Sequence, residues 1–155
     1  MTSAQADTFK KELFDQISSE LEIKANDFKT AVSNLRDGIA NDSKSSMGDK
    51  YETSREMMQQ EINHLEQQIS INQQQLFYLK SFNLLAKNEQ IVLGSLVQTN
   101  IGWFFIAVSF GEIKVLEQAI IVISPISPLG KILIGKKVND EFEMNERILK
   151  ILSVY

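Results

Sequence analysis

The sequence predicts an α+β fold in which an antiparallel helical hairpin is followed by a compact β domain. Three observations predict it: a composition that changes near residue 82, seven-residue apolar spacing before that point, and short β-branched runs after it. Residues 1–82 hold one Val (Val32), two Gly, no Pro and many Gln, whereas residues 83–155 hold seven Val, five Gly and both Pro. Straight-chain residues favour helices and β-branched ones favour strands, so the halves differ in class. The acidic excess is confined to the first half, with nine Lys and Arg against 13 Asp and Glu, while the second half has seven of each.

In the first helix Phe14, Leu21, Phe28 and Leu35 recur every seven residues, with Ile17, Ala31 and Val32 filling intermediate positions. One apolar stripe therefore runs along a long helix. In the second, Met58, Ile62, Leu65, Ile69, Asn72, Leu76 and Leu79 follow a 4-3-4-3-4-3 spacing, which is a coiled-coil seam. Asn72 is polar at a seam position, a device that fixes register. Each stripe covers about 25 residues, about 38 Å of helix. Between them Asp37 to Lys50 is rich in capping and helix-breaking residues, so a polar tip is expected near 41–50. Two stripes joined in this way bury their seams on each other within one chain.

From Ile91 the pattern becomes that of strands: Ile91 to Val97, Trp103 to Val108, Ile113 to Leu116, Ala119 to Ile123 and a last run, Arg147 to Val154. Asn100 to Gly102 and Phe110 to Glu112 suit tight connections, and Ser124 to Gly130, with two Pro, cannot continue a ladder. Trp103, Phe104 and Phe105 are consecutive, so Phe104 faces opposite its neighbours. One sheet face is then core and the other is available for docking. The expected domains are a hairpin over 1–82 and a β domain over 83–155.

Other features narrow the function. A chain of 155 residues fits one ordinary domain or two small ones. With no Cys, disulfides and thiolate metal sites are excluded, as suits a reducing cytoplasm. The longest apolar run, Ile101 to Phe110, is too short to span a bilayer, and the N-terminus lacks the form of a secretion signal. A cytoplasmic protein without membrane contact is expected. A net charge of −4 argues against wrapping a phosphate backbone through bulk positive charge. No Gly-rich phosphate loop, His-containing triad or cysteine nucleophile is present, so the chain is not read as an enzyme.

The stretch Ser124 to Phe142, with its Ser127-Pro128 start, Leu133-Ile134-Gly135-Lys136 and the acidic pair Asp140-Glu141, resembles the C-terminal signature of bacterial Gre-type transcript cleavage factors, the GreA/GreB family. The closing Ile148 to Tyr155 is similar to that family's last strand, and the order of hairpin then β domain matches it over nearly the whole chain. The resemblance implies an FKBP-like β domain that docks on RNA polymerase, here through Ser127, Pro128, Gly130 and Lys131. It also implies a hairpin that enters the secondary channel, and a role as a transcription elongation factor. In the family an Asp and a Glu in Gly-Asp-x-x-Glu at the tip help hold a second magnesium ion, so that the polymerase's own site cleaves the 3′ end of backtracked RNA. Gly48-Asp49-Lys50-Tyr51-Glu52 supplies that spelling, with Asp42 as a further carboxylate. No intrinsic cofactor is implied, since the magnesium would be shared with the polymerase, and nascent RNA would be met only indirectly by a monomer.

The spelling departs from the family around Tyr51. Anchoring the comparison on Tyr51, Arg55 and Glu56 moves the family's carboxylate positions to Lys44 and Met47, and no acidic pair remains. Asp49 three residues before Glu52 also reads as a capping box, with Asp49 as the helix cap. Two alternatives therefore stand beside the cleavage factor: a non-cleaving regulator that occupies the channel, and a coiled-coil interaction module unrelated to polymerase. Lys44, Lys50 and Arg55 form a small positive group suited either to solvent or to RNA phosphates. His64, the single histidine, reads as a surface residue flanking the seam, and Met57 and Met58 read as seam packing.

Overall fold

The structure, a computed structural model, describes residues 1–42 and 48–155, the side chain of Asp49 excepted. The element order is α1 (Ser3–Asp42), α2 (Gly48–Leu79), β1 (Leu96–Thr99), β2 (Gly102–Ile106), β3 (Gly111–Val115), β4 (Gln118–Ile123), α3 (Pro128–Leu133), β5 (Glu141–Met144) and β6 (Arg147–Val154). Long helices followed by a mixed sheet make an α+β protein. Among the described residues, no helix is long and apolar enough to cross a membrane. The chain forms two compact units, Ser18–Phe77 and Met1–Ile17 with Tyr78–Tyr155. Composition placed residues 1–17 with the hairpin; in the structure they group with the sheet.

The helical unit is an antiparallel pair. Val32, Ile62 and Leu65 form its buried centre, with Phe28, Ala31, Leu35, Ile39 and Ile69 packed around them. The register runs in opposite directions along the two helices. A Cβ added at Gly38 would lie 3.7 Å from Met58 Sδ, Arg36 pairs with Glu66, and Glu22 and Asn26 share a groove with Gln73 and Leu76. The α2 seam follows the expected spacing, with Ile62, Leu65 and Asn72 buried and Met58, Ile69 and Leu76 half-buried. The Arg36–Glu66 pair is exposed on both sides, so it adds little beyond the apolar seam. Among the described residues, Asn72 is buried at the seam with no partner for its Nδ2, and Ser18 Oγ is buried in the same way. On α1 the stripe begins differently from expectation: Leu13 is fully buried and Phe14 only half so, because the buried row passes through Ala6, Phe9, Leu13 and Ile17.

In the other unit the six strands are ordered β3-β4-β2-β1-β6-β5, all antiparallel neighbours except β2 and β4, which run parallel. Strand alternation sorts the core into two layers. Val97, Phe104, Ile106, Phe142, Leu149 and Ile151 share one buried cluster with Ile91 and with Leu133 of α3, and Leu129 packs against it. The opposite face carries Leu96, Phe105, Ile113, Val115, Ile120 and Val122, all nearly fully buried. The first turns of α1 cover that face. Ala6, Phe9, Leu13 and Ile17 are buried there, Lys10 Nζ donates to the Tyr155 carbonyl at 3.4 Å, and Tyr155 Oη donates to the Met1 carbonyl at 2.8 Å. The second sheet face is therefore core, and the expectation that it stands open for docking is corrected. The sequence hides this because α1's apolar row is continuous across both tasks.

Two strand expectations also change. The run Ile91 to Val97 is not one strand: Ser95 Oγ accepts from Val92 N at 3.0 Å, and Gly94 adopts φ +87°, so a turn precedes β1. A Cβ at Gly94 would sit 3.0 Å from the Phe82 ring, so the aromatic packs on bare backbone. The structure adds β5, whose Glu141 and Glu143 hide its strand character; Phe142 is buried in the core, and half-buried Met144, two residues on, packs against the same cluster.

Candidate functional site

α2 begins at Gly48, whose φ of +46° suits glycine. Position 49 is the second residue of α2, and the capping-box reading, which turns on the side chain of Asp49, lies outside the described residues. Positions 49 and 52 are three apart and lie on the same side of the helix. Glu52 is exposed in the first turns, Tyr51 is half-buried, and Lys50, Arg55 and Glu56 are exposed. Asp42 is the last residue of α1 and is half-buried. Lys44 and Met47, the positions of the competing comparison, lie outside the described residues, as does the side chain of Asp49. Among the described residues no three His, Cys, Asp or Glu side chains come together in a way that holds a metal.

Met57 is 66% exposed, which corrects its assignment to the seam. A helix advances about 100° per residue, so with Met58 turned inward its neighbour must turn away. Lys50, Thr53, Ser54 and Met57 line a groove of about 360 Å³ on one side of α2. The i, i+3, i+4, i+7 spacing that unites them is present in the sequence, but only Met57 of the four is apolar, so no hydrophobic periodicity marks the groove. His64 is exposed, as expected.

In the sheet unit, Ser124 to Leu133 is built by local chemistry. Ser127 takes extended angles and caps α3, its Oγ accepting from Gly130 N at 3.0 Å and donating to the Ser124 carbonyl at 2.7 Å. Pro128 follows in the first turn, where its missing N–H leaves no helical bond unmade. Gly130 is buried, and a Cβ there would lie 2.1 Å from the Ser124 carbonyl oxygen, so only glycine lets the turn close. Of the four residues assigned to docking, Ser127 and Gly130 are thus used internally, and Pro128 and Lys131 are exposed. Ile126 and Ile132 beside them are exposed aliphatics, 77% and 37% respectively.

No protein-family model matches the chain, and no curated protein does. A solved structure described as that of the transcription factor Gfh1 is similar to it at 20% identity, with 94% of each chain covered and a TM-score of 0.34. At this overlap the likeness carries no functional weight.

Proposed function

We propose that the chain is a Gre-like transcription factor that acts on RNA polymerase through the secondary channel and stimulates cleavage of backtracked RNA by the polymerase's own active site. The observation that carries the reading is an exposed carboxylate, Glu52, in the opening turns of α2, three residues after Asp49 and next to the connection of two long antiparallel helices. The Gre-like signature over Ser124 to Phe142 supports it. Ser127 and Gly130 would build the docking turn, while Pro128, Lys131, Ile126 and Ile132 would present it to the polymerase.

Oxygen donors suit hard magnesium, and two carboxylates leave most of its ligands to be supplied elsewhere, which fits an ion shared with a larger site. Asp49 and Glu52 would be the residues that help hold it, with Asp42 nearby in sequence. When bound there, the ion would supply stabilisation of the negative charge that develops on oxygen during hydrolysis of the RNA chain. This chain would contribute charge and position, and the polymerase would remain the enzyme.

The test adds purified protein to a backtracked elongation complex from its own organism. RNA should shorten from the 3′ end, and Asp49→Asn and Glu52→Gln should each abolish most of that activity while polymerase affinity stays nearly unchanged. Asn keeps the shape of Asp and also caps helices, so Asp49→Asn is expected to leave the fold intact. Polymerase binding without cleavage at any magnesium concentration would favour the channel-occupying regulator, and no polymerase binding would favour the coiled-coil interaction module.

A further inference from the structure

Among the described residues β3 is an edge of the six-stranded sheet, with β4 on one side only. The loop joining them, Leu116-Glu117, has φ of +45° and +67°, the two-residue geometry in which the flanking Val115 and Gln118 exchange both backbone hydrogen bonds. Pairing alternates along an antiparallel ladder, so Val115, Ile113 and Gly111 turn their backbone groups toward β4. Glu112 and Lys114 turn theirs toward the open edge. Their side chains are also exposed, while Ile113 and Val115 are buried.

Charged residues on an edge usually discourage pairing. Here they are opposite in sign and two residues apart, which makes the edge complementary to itself. We propose that a second copy of this chain pairs with β3 antiparallel about a two-fold axis at Ile113, so that Glu112 of each copy faces Lys114 of the other.

That register satisfies two independent conditions. It sets the outward backbone groups of Glu112 opposite those of Lys114 on the other copy, which gives four hydrogen bonds across the axis. It also sets unlike charges directly opposite twice. Shifting the axis to residue 112 or 114 keeps the hydrogen-bond parity but brings like charges together, and a half-residue shift breaks the parity. Lys114 already pairs with Glu117, but both side chains are largely exposed, so little is lost when Lys114 turns to the other copy. A two-fold contact of this kind is closed and does not propagate into fibres. The inference does not depend on the polymerase reading.

Sedimentation of the full chain at rising concentration tests it. Dimer is expected at about 100 µM, with Glu112→Lys weakening association about ten-fold or more by placing Lys against Lys at both pairs. Exchanging both residues, Glu112→Lys with Lys114→Glu, should restore association to within about three-fold, because unlike charges again face each other. Both sites are exposed, so thermal unfolding of the variants should match that of the parent. A chain that stays monomeric at millimolar concentration overturns the proposal. So does a dimer indifferent to Glu112→Lys, or one weakened by it and not rescued by the exchange.

Discussion

The two units bury apolar surface in different ways, and the difference decides which residues each can tolerate. The helical unit buries a single row on each of two helices, a line of contact with solvent on both flanks. Asn72 sits on that line with an unpartnered Nδ2, and Ile62 and Leu65 are buried on the same row. The sheet unit instead has both faces covered, one by α3 and one by the first turns of α1. A misfit there is surrounded on all sides, as at Gly130, where one methyl group would overlap a carbonyl oxygen. A linear seam absorbs a polar residue at modest cost, whereas a layered core has little room to relax.

The largest effect that would sharpen this contrast is expected from Gly130→Ala. The added Cβ must displace Ser124 backbone and open the capped turn, so chemical denaturation should show a loss of about 3 kcal/mol, assigned to the sheet unit. A loss under about 1 kcal/mol would mean that the turn can relax and the layered core is more forgiving than described.

Asn72→Leu should act in the opposite sense. Replacing a buried polar group that lacks a partner with an apolar one should stabilise the helical pair by about 1 kcal/mol, read as a rise in its melting temperature. Register would then be less strictly fixed, since an interior Asn penalises slipped pairings. Destabilisation by this substitution would show that Asn72 contributes a contact the seam needs.

Ser127→Ala removes one hydrogen-bond acceptor at the start of α3 and should cost about 1 kcal/mol. If polymerase affinity falls no more than this stability change explains, Ser127 serves the turn alone and the contact lies with its exposed neighbours.

The smallest effect concerns Lys10, fully buried in α1's opening turns. Burial pulls its pKa below the usual 10.5, with Asp7 one turn away pulling it partly back. The folded chain therefore gives up this proton at lower pH than the unfolded chain does. Between the two pKa values the unfolded state binds more protons, so stability should rise with pH across that window and stop rising near 10.5. Below the window the cost of the buried charge is constant. Lys10→Met keeps the apolar stem and removes the charge, so its stability advantage over the parent should shrink as pH approaches 10.5. An advantage that does not change with pH would mean that the charge is not the cause.

Much of this protein was legible in its sequence because periodicity reports directly on local geometry. The α2 row from Met58 to Leu79, the strands holding Phe104 and Ile120, and the turn signals around Ser124 to Gly130 all follow from residue type and spacing. The candidate carboxylates were legible in the same way, as a spelling at the start of a helix. What spacing could not give was who lies against whom. Ala6, Phe9, Leu13 and Ile17 continue the row that packs on α2, yet they cover the sheet, and nothing in a 3.6-residue period names the surface it will meet. Acidic residues concealed β5 because Glu141 and Glu143 alternate with the two side chains, Phe142 and Met144, that turn toward the core. The parallel pairing of β2 with β4, the burial of Phe105 as well as Phe104, and the exposed self-complementary edge at Glu112 and Lys114 were decided by tertiary structure, since long-range pairing depends on chain topology that no short window of residues contains.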